Sequence, residues 1–405
     1  MKKVKFIHGA DIHLDSPMIG LQSLPENIFK QLQESTFKAF RNLINAAILH
    51  EVDFVILAGD IFDNEDRSVR AQVFLRKELE RLEEKGIPVF IVHGNHDHLG
   101  GNWNEIAYPS NVYIFGETVE IKEIVLKNRI VVHIHGFSYH ERHVFARKIQ
   151  EYQKQKNADY HIGILHGNME GNSDHGNYAP FQIKELLEKE FDYWALGHIH
   201  KRSIVNKEPL IVYPGNTQGR NKKETDEKGC YLVTMQDTNS ELQFIETSEV
   251  IWTDLIFDAS SISCFDELFQ YIQEEMSSQR REGKGIIVSV KLLNLDSEVL
   301  GTDSVSELVE LLQEDEKDEK SFVWLTRIQV EEKIHWSKEE LAMDSDFYGE
   351  LFKVMDELRA IEDTLSPLYN QHNTKKLLPK LSLDEMEEIR KSAETLLINR
   401  LLKNR

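Results

Sequence analysis

The chain has 405 residues, 40% hydrophobic and 29% charged, with a formal charge of −21 at pH 7. That length exceeds one ordinary domain and predicts two or three, while the composition is that of a soluble globular protein with a substantial core. No apolar run approaches the ~20 residues that a membrane helix needs, so no membrane role is expected. The N-terminal MKKVKFIHGADIH enters a short strand and does not read as a secretory signal. Cys230 and Cys264 form neither a disulfide framework nor a metal spacing, which suits a reducing cytoplasm. Residues 1–250 carry a net −7 and residues 251–405 a net −14. A field of that sign repels nucleic acid. One positive cluster runs against it: Lys201, Arg202, Lys207, Arg220, Lys222 and Lys223.

Up to about residue 200, apolar runs and helical spacing alternate. Val4–His8 reads as a strand, 28–50 as a helix and 53–58 as a strand. Val69–Glu84 is a charged amphipathic helix stopped by Gly86 and Pro88. The run Val89–Val92 leads into Gly-Asn-His-Asp, and shorter runs follow at Val112–Phe115, Ile130–His135 and Tyr160–Leu165. A helix is expected near Ile183–Glu188. This alternation predicts a layered α/β domain. Beyond residue 200 the segments LIVYPGN, GCYLVTM and ELQFIET predict a second sheet closing over the first, a sandwich flanked by helices.

Near Trp252 the pattern changes. Residues 255–335 read as strand, helix (Phe265–Ser278), strand (Ile286–Leu292), helix (Val305–Leu312) and strand (Phe322–Val330), a small α/β domain. The acidic stretch at 314–320 reads as an exposed connection. From Ser337 the chain is helical, with Leu351, Met355, Leu358 and later Ile389, Leu396, Leu397, Leu401 at helical spacing, divided at Pro367 and Pro379. The expected domains are 1–252, 253–336 and a helical tail, 337–405.

Five apolar runs end alike. VKFIHGADIH ends in Asp11 and His13, DFVILAGDIFD in Asp60 and Asp63, and VFIVHGNHD in Asn95 and His96. HIGILHG ends in His166, and YWALGHIH in His198 and His200. Groups just past such strands sit where α/β sheets place their chemistry. A lone histidine is usually a satisfied core residue, but imidazoles, carboxylates and an amide at five strand ends are a metal-binding set. Seven ligands, Asp11, His13, Asp60, Asn95, His166, His198 and His200, suit two hexacoordinate sites completed by water, with Asp60 able to bridge them. Mixed oxygen and nitrogen donors accept Mn²⁺, Fe or Zn²⁺. Two cations roughly 3.5–4 Å apart would clamp a phosphoryl group for in-line attack by hydroxide.

The ordered set DxH, GDxxD, GNHD, HG and GHxH resembles the calcineurin-like metallophosphoesterase superfamily. The resemblance implies a two-sheet sandwich with Asp11, His13, Asp60 and His200 on one metal, and Asp60, Asn95, His166 and His198 on the other. It implies Mn²⁺ as the usual ion, and His96 as general acid or transition-state contact, oriented by Asp63. The segments ADIHLDSP, LAGDIFD, GHIHK and YPGNTQGR, with the small domain and helical tail, are similar to the SbcD-type double-strand-break nucleases, and more narrowly to bacterial YhaO-like proteins. That similarity implies a cytoplasmic DNA exonuclease or endonuclease acting in DNA repair. Its implied partners are DNA and a coiled-coil SbcC- or YhaN-like ATPase, with the small domain as a cap, the tail as the docking segment, and a homodimer compatible with it.

Two other functions compete. A small-molecule phosphoesterase, such as a phosphodiesterase or nucleotidase, would use the same metals and suits the acidic balance. A binding subunit with a decayed site is disfavoured because every ligand position is filled. The extra domain and tail favour the nuclease. Lys201, Arg202, Arg220, Lys222 and Lys223 are the expected DNA approach, against a plain reading as a solvated loop. His8, His93, His98, His133 and His135 read as packing groups or neighbours of ligands. Arg67 and Arg70 read either as phosphate contacts or as the surface of a helix start.

Overall fold

The structure is a computed structural model and describes residues 2–64, 67–101, 106–170, 178–237, 239–296, 299–300, 304–333, 336–344, 346–357, 367 and 383–403. Leu358 and Pro379, named above for the tail, lie outside the described residues. The chain divides into two compact units: residues 1–255, 269–290 and 304–328, and residues 256–268, 291–303 and 329–405.

The first unit holds a mixed α/β sandwich of two six-stranded sheets. Its elements are β1 (Lys3–Gly9), α1 (Glu26–Leu49), β2 (Phe54–Ala58), α2 (Val69–Glu83), β3 (Val89–Val92), β4 (Val112–Ile114), β5 (Glu120–Val125), β6 (Val131–Gly136), β7 (Tyr160–His166), α3 (Ile183–Leu187), β8 (Tyr193–Gly197), β9 (Ser203–Lys207), β10 (Leu210–Tyr213), β11 (Gly229–Gln236) and β12 (Asn239–Glu246). One sheet runs β12-β11-β1-β2-β3-β4 and the other β5-β6-β7-β8-β10-β9.

This arrangement corrects one expectation. The strands after residue 200 do not form the second sheet by themselves: β11 and β12 return to the first sheet, β11 antiparallel to β1. The second sheet is mostly β5 to β8, with β9 and β10 added at its far edge. Alternation in sequence says which face a residue takes and not which strand lies beside it. β5 and β9 escape a sequence reading because they are half-buried edge strands with charged residues, as edges commonly are.

Alternation explains the layers. Phe6, Phe54, Ile56, Phe90 and Val92 face Val132, Ile134, Ile162, Ile164 and Val212 across the sandwich. Ile7, Val55, Leu57 and Ile91 point the other way, onto Phe40, Leu43 and Ile44 of α1 and Leu75 and Leu79 of α2. The outer face of the second sheet is covered by an aromatic cluster that includes Phe137, Tyr152, Phe191 and Trp194. Because β1, β2 and β3 are parallel to each other, as are β7 and β8, their C-terminal ends gather side by side.

The remaining strands, β13 (Val250–Asp258), β14 (Gly285–Leu295) and β15 (Val323–Glu332), form a three-stranded sheet, with α4 (Phe265–Ser278) and α5 (Ser304–Glu314) between them in sequence. Within the first unit, Ile287, Phe322 and Trp324 pack with Val250, Trp252, Met18, Ile28 and Leu32. Within the second, α6 (Lys338–Asp344), α7 (Asp346–Glu357) and α8 (Leu383–Lys403) share a small core of Tyr348, Phe352 and Ile398. No helix among the described residues is long and apolar enough to cross a membrane.

Gly163 of β7 tests the packing. A Cβ there would collide with the Trp194 ring, which is fully buried. Gly163→Ala is expected to lower unfolding stability by about 1–3 kcal/mol through overpacking. Denaturant titration measures it, and an unchanged midpoint would refute the tight seat of Trp194.

Candidate metal centre

The seven expected ligands stand at or just past strand ends. The loops after β1 and β2 lie side by side, with Asp11 N bonded to Gly59 O at 3.0 Å and His13 N to Asp60 O at 3.0 Å. Asp11, His13, Asp60 and His198 all have left-handed backbone, with φ of 51°, 47°, 51° and 98°. Non-glycine residues rarely adopt this conformation, and such strain gathers at functional sites. Gly94 provides the space: a Cβ there would strike Asp60 Oδ1 and His166 Nε2.

The seven expected ligands come together. One donor atom each of Asp11, His13 and His200 lies within 4.8 Å of the other two, and the same holds for Asp60, His166 and His198. His13 Nε2 is 3.1 Å from His200 Nε2. Asn95 Oδ1 is 3.1 Å from both His166 Nε2 and His198 Nδ1. Asp60 Oδ2 is 3.4 Å from His166 Nε2 and 3.9 Å from His13 Nε2, so its carboxylate lies between the two groups. Asp11, His13, Asp60 and His166 are each at most 1% exposed.

The electrostatics suit a cation. Burial raises the Asp11 carboxyl above its usual range. Burial also works to raise Asp60, but the neighbouring His166 charge outweighs it and holds Asp60 well below that range. Burial alone would lower His166, yet Asp60 lifts it to about 9. Buried carboxylates crowded by imidazoles are stable only with positive charge among them, from protons or from metal. The donor set and its spacing fit a pair of divalent ions, of which Asp11, His13, Asp60 and His200 would hold one and Asp60, Asn95, His166 and His198 the other.

His96 and Asp63 are brought together, but not as expected. His96 Nδ1 bonds the main-chain oxygen of Asp63 at 2.8 Å, not its carboxylate. That carboxylate faces His13 Nδ1 at 3.2 Å and is ion-paired with Arg220. The reason is competition: a guanidinium and a buried imidazole outbid a second histidine for one acid. Arg220 is therefore not part of an exposed DNA approach. Its side chain is 15% exposed and inside the site. Lys201, Lys222 and Lys223 are exposed as expected, and Arg202 lies over the Phe244 ring at 3.7 Å. Arg70 pairs with Glu34 at 2.6 Å, and Arg67 is buried, bonded to the main-chain oxygen of Asp97.

Three supports went unread in the sequence. Glu224 accepts from His200 Nδ1 at 2.7 Å and from Asn216 Nδ2 and the Arg220 main chain, both at 2.8 Å. Burial opposes its charge, but the His200 hydrogen bond keeps its carboxyl well below the usual range. Asp97 accepts from Gly94 N at 2.8 Å, Ile61 N at 2.9 Å and His93 Nδ1 at 2.9 Å, which fixes the turn that carries Asn95 and His96. Tyr139 Oη donates to the His166 carbonyl at 2.8 Å. The only sequence signal for Glu224 was an acid placed within a basic cluster.

Comparison with known proteins agrees with this geometry. The calcineurin-like phosphoesterase family pattern matches residues 4–202. The chain is 39% identical to the uncharacterized metallophosphoesterase YhaO of Bacillus subtilis over 98% of its own length and 97% of that protein. It belongs to the calcineurin-like metallophosphoesterases. This metallophosphoesterase is also 25% identical to the DNA double-strand break repair protein Mre11 of Methanocaldococcus jannaschii, over 60% of this chain and 66% of that one. The Methanococcus maripaludis protein of the same name is 24% identical over 89% of this chain and 97% of its own. The family consists of phosphoester hydrolases that use a pair of metal ions, and the two candidate clusters stand where such a pair would bind.

A metal titration tests the supports. Glu224→Gln removes the charge behind His200 and is expected to weaken divalent-ion affinity by roughly 10–100-fold. In the unaltered chain, His166 carries a proton below about pH 9 that an entering ion must expel. Affinity should therefore rise with pH up to that point. Calorimetry in buffers of different ionisation enthalpy measures both, and an affinity independent of pH would remove His166 from the ligands.

Proposed function

We propose that this metallophosphoesterase is a DNA nuclease that hydrolyses phosphodiester bonds at the Asp60 centre, with Mn²⁺ the expected ion and DNA repair the setting. The observation that carries the reading toward DNA is a stacked aromatic row beside the centre. Tyr178 meets His198 edge-on at 5.2 Å, and stacks with His143 at 5.6 Å and Phe145 at 6.1 Å between ring centroids. Phe145 is 64% exposed. Ring faces next to a phosphodiester-cleaving centre suit nucleobases of any sequence, and a small phosphoester has no need of them. The exposed Lys201, Lys222 and Lys223 add positive charge for phosphates within an acidic chain. The relatives named as DNA double-strand break repair proteins support the same reading.

Two divalent ions, when bound, polarise the phosphodiester and make a strong oxygen nucleophile available from water at neutral pH. The chain's own residues do the rest. Asp60 and Asn95 position the two ligand groups. The bond from His96 Nδ1 to the Asp63 carbonyl fixes the imidazole and leaves Nε2 to give a proton to the leaving oxygen. Arg220 neutralises Asp63 and so keeps His13 in place. Two thiols without disulfide partners, Cys230 and Cys264, fit a cytoplasmic setting.

End-labelled single- and double-stranded DNA, assayed with Mn²⁺ beside a chromogenic phosphodiester, tests the proposal. DNA should be cut, and His96→Ala should keep its metal while losing roughly 10²–10⁴ in rate. Turnover of the chromogen with neither DNA cut would replace the nuclease by a small-molecule phosphoesterase.

The tail is proposed to dock on the coiled coil of an ATPase partner of the SbcC or YhaN kind. Within the second unit, Met343, Phe347 and Val354 are 88%, 57% and 53% exposed, and Leu396 and Leu397 are 56% and 41% exposed. Apolar residues left outside a small helical core suit a partner helix. Phe347→Asp with Leu397→Asp should abolish copurification with that ATPase and leave chromogen hydrolysis intact. Copurification of the double variant at the unaltered level would end the docking proposal.

A further inference from the structure

The outer face of the second sheet carries another group of imidazoles, with no place in the centre described above. Alternation along β6 puts His133 and His135 on one face, and the parallel register sets His133 beside His161 of β7. The three are 5%, 0% and 3% exposed. One ring nitrogen of each lies within 4.8 Å of those of the other two. His135 Nε2 and His161 Nδ1 are 3.1 Å apart, the separation that His13 Nε2 and His200 Nε2 show in the candidate metal centre. A single N–H···N hydrogen bond would account for that pair alone. It leaves Nδ1 of His133 buried without a hydrogen-bond partner, which is costly for a polar atom.

We propose that His133, His135 and His161 form a structural site for a zinc-class cation, with His135 Nε2, His161 Nδ1 and His133 Nδ1 as ligands. Two of the three rings are already held from behind. His133 Nε2 bonds Glu123 Oε2 of β5 at 3.0 Å, and His161 bonds the main chain at Gln155. A carboxylate or carbonyl on the far nitrogen is the usual second partner of a metal-bound histidine. Burial holds His135 down to about 3 and His161 to about 4, the neutral form that a ligand must have. Phe191 closes the inner side, its ring centroid 4.3 Å from that of His135 and 5.7 Å from that of His161. Lys154, the cation facing His161, is bonded to the Glu190 carbonyl at 2.6 Å. Glu123, 58% exposed, marks the way in.

Three imidazoles with no carboxylate among them favour Zn²⁺ and its late first-row neighbours over Mn²⁺ or Mg²⁺. The site would thus differ in ion from the Asp60 centre, where two carboxylates and an amide oxygen join the imidazoles. Its ion would tie β6 to β7 directly, and draw in β5 through Glu123. β7 is the strand that ends in His166, so the cross-link steadies one wall of the catalytic site.

Crystals of the full chain soaked in Zn²⁺ and measured at the zinc absorption edge test this. An anomalous peak is expected between the three rings, besides density at the Asp60 centre. In solution, equilibrium dialysis should give the unaltered chain one more tightly held Zn²⁺ than His161→Gln, and zinc should raise its unfolding midpoint more. No peak between the rings in crystals whose Asp60 centre is loaded would overturn the proposal, as would equal stoichiometry in a natively folded variant. If His161→Gln does not fold, the anomalous map of the unaltered chain decides.

Discussion

Asp60 sits at 1% exposure with His166 Nε2 on one side at 3.4 Å and His13 Nε2 on the other at 3.9 Å. A carboxylate this deep is tolerable only while opposite charge surrounds it. Around it, burial draws the Asp11 carboxyl upward, while Asp60 lifts His166 to about 9 against the effect of burial. The rest of the catalytic end follows from satisfying that charge. Asp60 Oδ1 also accepts the His96 main-chain N–H at 3.0 Å, which links this central acid to the turn that carries Asn95 and His96.

Holding four ligands in left-handed backbone costs about 1–3 kcal/mol each. The two sheets offset this by fixing both flanks of every loop. Loops after β1 and β2 bond each other, and His166 Nδ1 reaches across to the Ala58 carbonyl at 2.9 Å. His198 N donates to Asp11 at 3.0 Å, so a ligand from the second sheet is seated on a ligand from the first. Beneath them, His8 spans the same gap to Tyr193 Oη at 2.9 Å. The site is a seam between sheets, and its precision depends on their packing.

Behind the ligands stands a further ring of charge. Glu224 holds His200, Arg220 joins Glu224 to Asp63, and Asp63 faces His13. This chain of alternating sign closes one side of the site. It explains why a basic residue that looked solvent-facing in sequence is committed to the interior.

The sequence by itself determined the strand ends and their chemistry. Strands β1, β2, β3, β7 and β8 are apolar runs stopped by glycine-bearing turns, and hydrophobic period and glycine placement are local properties that a sequence displays directly. Donor identity is equally local, so the seven residues that meet at the centre could be named from five short segments. Pairing is not local. That β11 and β12 return to the first sheet, that β5 and β9 form edges, and that Asp63 gives His96 its carbonyl and not its carboxylate were decided by tertiary structure. So were the burial of Arg220, the seat of Glu224, and the meeting of His161 with His133 and His135 on neighbouring strands. Each depends on register and on competition among groups distant in sequence, where the winning partner is set by geometry and relative charge, and neither is written in any one segment.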